Sequence, residues 1–252
     1  MRNLLFEIAY RGTRYCGYQV QKNGVSVAEV LQDGIEQVFK ERLPIVGCSR
    51  TDSGVHANQY FFHMHTDSSI PAERAVPALN CRLPEDIAVL SCREVPADFH
   101  ARYDCVGKEY LYKIWVRKEK HPFEEDLSFH YPYRIDAEKM HAAAQDFLGT
   151  HDFRGFCSSG ADAESTVRAI TRIAVTREGD HVLVKVRGDG FLYNMVRIMV
   201  GTLLYVNYGI RPGETVRQIL DSGVRERAGH TAPAHGLYLN RVFYDAASFA
   251  AD

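Results

Sequence analysis

The sequence predicts an α+β fold: two similar rounds of strands and amphipathic helices, the strands mostly antiparallel and the helices layered on one face. Three observations carry this. The strand-like stretches include a hairpin, the helices are too widely spaced for a regular βαβ array, and a second round begins near Lys108. In order, residues 3–9 read as a strand. Ser26-Val27-Ala28-Glu29 is a capping box, and Val27, Val30, Leu31, Ile35, Val38 and Phe39 then recur at helical spacing. Residues 59–66 and 87–95 read as strands, with a short helix started by Pro71 between them. The second round opens with a strand over 110–116. A helix over 137–148 follows, with Asp136 as N-cap and Gly149 as its stop. Residues 168–177 and 181–187 form a hairpin about Glu178-Gly179-Asp180. Residues 191–205 and 214–222 read as helices. No linker marks a boundary; the restart places it at Gly107, giving halves 1–107 and 108–252.

The 252 residues are 46% hydrophobic and 25% charged, which supplies a core for one large domain or two small ones. Aromatic residues and prolines spread along the whole length exclude a collagen-like, low-complexity or disordered chain. Thirty basic residues against 32 acidic give a net charge of -2, so the chain as a whole is no polycation, although a local positive face could still bind nucleic acid. Arginine outnumbers lysine, and its planar fork suits phosphate or carboxylate. The six cysteines (Cys16, Cys48, Cys81, Cys92, Cys105, Cys157) show no C-x-x-C pair, which points to reduced thiols in the cytoplasm rather than a disulfide framework or a zinc site. Residues 1–10 are interrupted by Glu7, against a signal h-region. The apolar run 191–208 carries Asn194 and Arg197 and is short for a bilayer span, so no membrane segment is expected.

The densest polar segment is Gly47-Cys48-Ser49-Arg50-Thr51-Asp52-Ser53-Gly54-Val55-His56-Ala57, set between a helix and a strand, where catalytic groups often sit. Asp52 there suits a nucleophile, a general base or a metal ligand; the plainer reading is a turn former ahead of Gly54. Arg197 lies in an otherwise apolar helix. It cannot be neutralised, so it either snorkels, pairs with a structural acid, or holds a functional carboxylate ionised, with Asp52, Asp152 and Asp189 all available by spacing. Tyr110 and Tyr112 share one face of a strand, either as core tyrosines or as a stacking surface for a base. His63 and His65 are at most half a metal site, because no ligand at standard spacing completes a tetrahedral set. His151-Asp152 is a possible hydrolase pair, but no G-x-S-x-G elbow accompanies it and no phosphate loop occurs.

Taken in order, these segments resemble the tRNA pseudouridine synthase A family over about residues 4–244. The resemblance rests on Tyr10-Arg11-Gly12-Thr13 with Gly17-Tyr18-Gln19, Ser49-Arg50-Thr51-Asp52-Ser53-Gly54-Val55-His56-Ala57, Ala78-Leu79-Asn80 with Arg82-Leu83-Pro84, and Phe99-His100-Ala101-Arg102. It continues through Lys108-Glu109-Tyr110, Gly149-Thr150-His151-Asp152-Phe153, Gly190-Phe191-Leu192-Tyr193-Asn194-Met195-Val196-Arg197 and Ala232-Pro233-Ala234-His235-Gly236-Leu237. The R-T-D-x-G-V-H-A segment is the most specific of these. Tyr18 stands where the family usually has Trp, Ser53 where Ala is usual, and Ser26-Val27-Ala28-Glu29 replaces a Thr-Val-Gln opening.

The resemblance implies a tRNA-uridine isomerase acting on positions 38–40 of the anticodon stem-loop: a homodimer of α+β halves about a large antiparallel sheet, with a positive RNA-binding cleft and no cofactor or metal. It implies that Asp52 is the catalytic aspartate, Tyr110 the active-site tyrosine against the uracil, and Arg197 the partner of that aspartate. Leu237 would line the pocket, with Arg50 and His56 assisting substrate binding. A tRNA-folding chaperone of the same fold and an aspartate-dependent hydrolase are the alternatives, separable by turnover on RNA and by sensitivity to a chelator.

Overall fold

The computed structural model describes residues 1–158, 164–210 and 214–251. The chain forms two compact units, Met1–Val106 with Tyr238–Asp252, and Gly107–Leu237. Both are α+β on a mostly antiparallel sheet, and the described residues hold ten strands and six α-helices.

The first unit opens with β1 (Arg2–Tyr10), central in its sheet and nearly all buried, as its run of apolar residues requires. Helix α1 (Val27–Phe39) starts at the expected capping box, Ser26 accepting the Glu29 N–H while the Glu29 carboxylate returns to Ser26 N–H. Strand β2 (Val46–Gly47) and the long β3 (His56–Thr66) flank the polar segment. Helix α2 (Ala72–Asn80) has Pro71 as its N-cap rather than its first residue, and β4 (Ile87–Val95) closes the round as the sequence predicts. β1 pairs antiparallel with both β3 and β4, with Phe6 opposite Phe62 and their rings stacked at 4.9 Å.

The second unit begins with β5 (Gly107–Trp115), three residues earlier than the expected strand, and β6 (Phe129–His130) runs parallel beside it. Helix α3 (Ala137–Ala144) is capped by Asp136 but ends sooner than predicted: residues Gln145–Phe147 tighten into a 3-10 turn before Gly149 at φ 99°. Then come β7 (Gly149–Asp152), β8 (Val167–Glu178) and β9 (His181–Gly188), the last two joined across Gly179 and Asp180 as the expected hairpin. The strand order is β5-β9-β8-β7. Helix α4 (Met195–Tyr208) is apolar nearly all round and correspondingly buried. It starts four residues after the predicted position, because Asn194 is left-handed (φ 62°, ψ 6°) and leaves 191–194 outside the helix. Helix α5 (Val216–Ser222) begins at a Thr215–Gln218 capping box that the sequence reading passed over.

After Leu237 the chain rejoins the first unit. Strand β10 (Leu237–Phe243) pairs parallel with β3, Tyr238 opposite His56 and Leu239 opposite Ala57, and the short α6 (Ala246–Ala250) follows. The two units therefore depart from a simple halving at residue 107: residues from Tyr238 onward belong to the first unit, where β10 pairs with β3.

Candidate active site

The loop between β2 and β3 carries Arg50, Asp52 and His56. Val55 N–H donates to the Asp52 main-chain carbonyl at 3.1 Å, so the turn closes through the backbone while Gly54 takes φ 78°. Every side of this loop is braced. Thr51 shares a 2.8 Å hydrogen bond with the Tyr10 hydroxyl, and its carbonyl accepts Tyr18 N–H at 3.2 Å. Gly54 N–H and the Ser53 hydroxyl both donate to the Tyr15 carbonyl at 3.3 Å. The buried Tyr60 hydroxyl donates to Ser49 O at 2.5 Å, and Tyr18 stacks on its ring at 4.3 Å. Asp52 is partly buried and Arg50 exposed.

His56 is only 1% exposed: its Nδ1 accepts Gly12 N–H at 2.9 Å and its ring stacks on Tyr238 at 4.6 Å. It holds the Gly12 backbone against the Asp52 loop. Gly12 is needed there because a Cβ would sit 1.9 Å from the Val55 carbonyl oxygen, and at Gly17 (φ 108°) a Cβ would lie 2.5 Å from Thr51 O. Gly12→Ala is accordingly expected to cost roughly 1–3 kcal/mol in urea unfolding and to displace the Asp52 loop, lowering turnover more than tRNA affinity.

Tyr110, Arg197 and Leu237 lie in the second unit. Tyr110, on β5, is 7% exposed and meets Phe191 edge-on at 4.9 Å. Two residues along the same strand face, the fully buried Tyr112 donates its hydroxyl to Pro233 O at 2.7 Å, and Gly236 lies against its ring so closely that a Cβ would clash at 2.7 Å. Burial pushes the Tyr112 hydroxyl pKa well up, so it remains a donor at neutral pH. From α4, Arg197 Nε donates to Ala232 O at 2.7 Å and Nη1 to Asn194 Oδ1 at 2.6 Å, while Arg197 O accepts Ala232 N–H at 3.2 Å. The segment Ala232-Pro233-Ala234-His235-Gly236 thus ties the tyrosine strand to the arginine helix, and Leu237, 5% exposed, follows directly at the start of β10. Sequence reasoning missed one charged pair here. Glu109 and Arg187, both under 10% exposed and directly opposite on β5 and β9, form an ion pair at 3.1 Å. Only the strand register reveals it.

The family model described as tRNA pseudouridine synthase matches residues 8–104 and 143–245. The chain belongs to the tRNA pseudouridine synthase family. A tRNA pseudouridine synthase A of Acetivibrio thermocellus is 45% identical over 244 residues, 97% of this chain and 100% of that protein. One from Bacillus pumilus is 45% identical over 240 residues (94% and 97%), and the tRNA pseudouridine synthase A 2 of Clostridium perfringens is 43% identical over 244 (97% and 100%). The chain is therefore an enzyme of an isomerase family that modifies tRNA. The matched ranges contain Asp52, Arg197 and Leu237, whereas Tyr110 falls in the span 105–142 between them.

In this synthase-family chain the remaining titratable candidates have structural tasks. His151 Nε2 lies 2.7 Å from Leu148 O, with Arg217 Nη1 3.2 Å from its Nδ1. Asp152 is occupied by the Arg154 guanidinium and accepts from Thr166 Oγ1 at 2.6 Å; Arg154 and Thr166 hold its carboxyl down at about 2. These contacts correct the reading of His151-Asp152 as a hydrolase pair. Asp189 accepts Ala169 N–H at 3.0 Å, which leaves it, like Asp152, spent on local structure rather than on Arg197. Among the described residues no group of three or more His, Cys, Asp or Glu could hold a metal ion, and no helix is long and apolar enough to cross a membrane.

His63 and His65 pack edge-on at 5.7 Å, and His63 Nδ1 accepts Ala101 N–H at 3.1 Å. Burial, with His100 and His65 beside it, lowers the His63 pKa to about 4 from its ordinary 6.5. Between those values the unfolded chain binds a proton that the folded chain refuses, so stability falls as pH drops through that window. Urea midpoints are expected to be lower at about pH 4.5 than at about pH 7, with the gap narrowed in His63→Gln.

Proposed function

We propose that this chain converts uridine to pseudouridine at positions 38–40 of the tRNA anticodon stem-loop, as a cytoplasmic homodimer without cofactor, with Asp52 as the catalytic carboxylate. The observation that supports this most is the bracing of the Asp52 loop. A carboxylate whose flanking backbone is pinned by Tyr10, Tyr15, Tyr18 and Tyr60 is organised for chemistry, not merely for turning a chain. The whole-length identity of 43–45% with tRNA pseudouridine synthases A supports the substrate class.

The reaction breaks the N1–C1′ bond, turns the uracil and forms the C5–C1′ bond; the C5 proton leaves and N1 gains one, with no net oxidation or hydrolysis. A stacked base cannot turn, so the target nucleotide is extruded from the RNA first. Asp52 then attacks C1′, attacks C6, or removes the 2′-proton, three starts that share a need for the ionised carboxylate. Arg197 favours that ionised form. Tyr110, kept edge-on to Phe191, holds the uracil plane, and Leu237 contributes an apolar wall that keeps water from the separated ribose. Arg50, exposed beside Asp52, draws in the RNA backbone, and His56 acts indirectly by holding the Gly12 backbone.

Tritium release from C5-labelled uridine in unmodified tRNA, with excess chelator and no added cofactor, tests the proposal. Release confined to transcripts with uridine at 38–40 is the expected result. Release from other positions would overturn the site assignment, and binding without release would favour the chaperone reading.

A further inference from the structure

Asn194 has a backbone and a side chain that local structure alone does not explain. It occupies the N-cap of α4, where an asparagine ordinarily adopts extended dihedrals and turns its side-chain oxygen onto the amide of the second or third helical residue. Here φ is 62° and ψ 6°, and the side chain makes no capping bond. Its Oδ1 accepts instead from the side chain of that third residue, Arg197 Nη1, at 2.6 Å, and its Nδ2 donates to Ser158 Oγ at 2.9 Å. Arginine has only donors, so the amide orientation follows from the chemistry. Ser158 N–H in turn donates to Tyr193 O at 3.2 Å, fastening the segment just before the helix. A left-handed non-glycine residue costs backbone strain, and Asn194 gives up its cap as well; what both yield is a second fixed point on the guanidinium, besides the Nε bond to Ala232 O. Two fixed nitrogens set the orientation of the planar fork.

We propose that Asn194 is a positioning residue of the synthase reaction, which clamps the Arg197 guanidinium in one orientation and is itself oriented by Ser158. Asn194 touches neither substrate nor reacting atoms; it acts through Arg197, and the inference rests on the catalytic part proposed for that residue.

Rotation about the Arg197 Nε–Cζ bond, read by ¹⁵N and ¹³C spectroscopy of the guanidinium and assigned by its loss in Arg197→Lys, reports the clamp without any substrate. Restricted rotation is expected in the wild type and in Asn194→Asp, which keeps the acceptor and tolerates the left-handed backbone. Faster rotation is expected in Asn194→Gly, which keeps that backbone but has no side chain. Asn194→Gly is further expected to lose roughly tenfold to a hundredfold in kcat, with KM for tRNA within about threefold of wild type. Ser158→Ala falls between the two. Rotation unaltered in Asn194→Gly, or a kcat equal to wild type there, overturns the inference. A wild type that releases no tritium overturns the proposed function instead, and the rotation measurement, made on the protein alone, tells the two failures apart.

Discussion

Asp52→Ala is expected to abolish pseudouridine formation while leaving tRNA binding nearly intact. The loop that carries Asp52 is held through backbone carbonyls and amides and through Thr51, Ser53 and Ser49, and these fastenings survive truncation of the Asp52 side chain. Folding should therefore survive, and the loss should fall on the chemical step: a drop of ~10⁴-fold or more in kcat, the scale on which removal of a central catalytic carboxylate is felt. Tritium release and filter binding on the same preparation check both halves. Appreciable turnover in Asp52→Ala would remove Asp52 from the chemistry. A matched loss of binding would make the residue a recognition element.

Arg197→Lys is expected to give a folded enzyme with kcat reduced by ~100-fold, the order seen when a preorganised electrostatic donor is lost. The guanidinium spans two acceptors, Ala232 O and Asn194 Oδ1, at 2.7 and 2.6 Å through different nitrogens. A lysine ammonium is a point charge on a flexible stem and cannot bridge both while keeping the planar face. Charge is conserved, so a purely coulombic role would be largely rescued, whereas an orienting role would not. Steady-state kinetics with a thermal melt distinguish them, since full activity in Arg197→Lys would leave Arg197 as a structural link between α4 and the 232–236 segment.

Much of the first unit was legible because its signals are local. The Ser26–Glu29 capping box, the apolar spacing of α1 and the span of β4 each depend on a few neighbouring residues, and the structure places them where spacing predicts. The polar segment about Asp52 was equally visible as composition, but its bracing was not, because Tyr10, Tyr15 and Tyr18 reach it from distant positions. The start of α4 was misread for an instructive reason. Apolar periodicity runs smoothly through 191–205, and nothing in a pattern of side-chain types announces that Asn194 is left-handed. The available signal was an asparagine three residues ahead of a lone arginine, just after Gly188-Asp189-Gly190; it suggests a break only to a reader who already asks what Arg197 needs. The Glu109–Arg187 pair and the return of β10 stayed hidden because both depend on strand register and topology, which no single segment encodes.

That return of β10 has a consequence for biosynthesis. On the ribosome, residues 1–106 emerge as a segment whose β3 still lacks its parallel neighbour, and the gap persists while all of 107–237 is translated. His56 meanwhile lacks Tyr238, the ring on which it stacks, so the support for Gly12 and the Asp52 loop is incomplete until the final strand arrives. A nascent chain stalled before Tyr238 holds the Asp52 segment without the ring on which His56 stacks. The direction of synthesis thereby delays the last support of His56 until the Tyr110 and Arg197 segments have already been made.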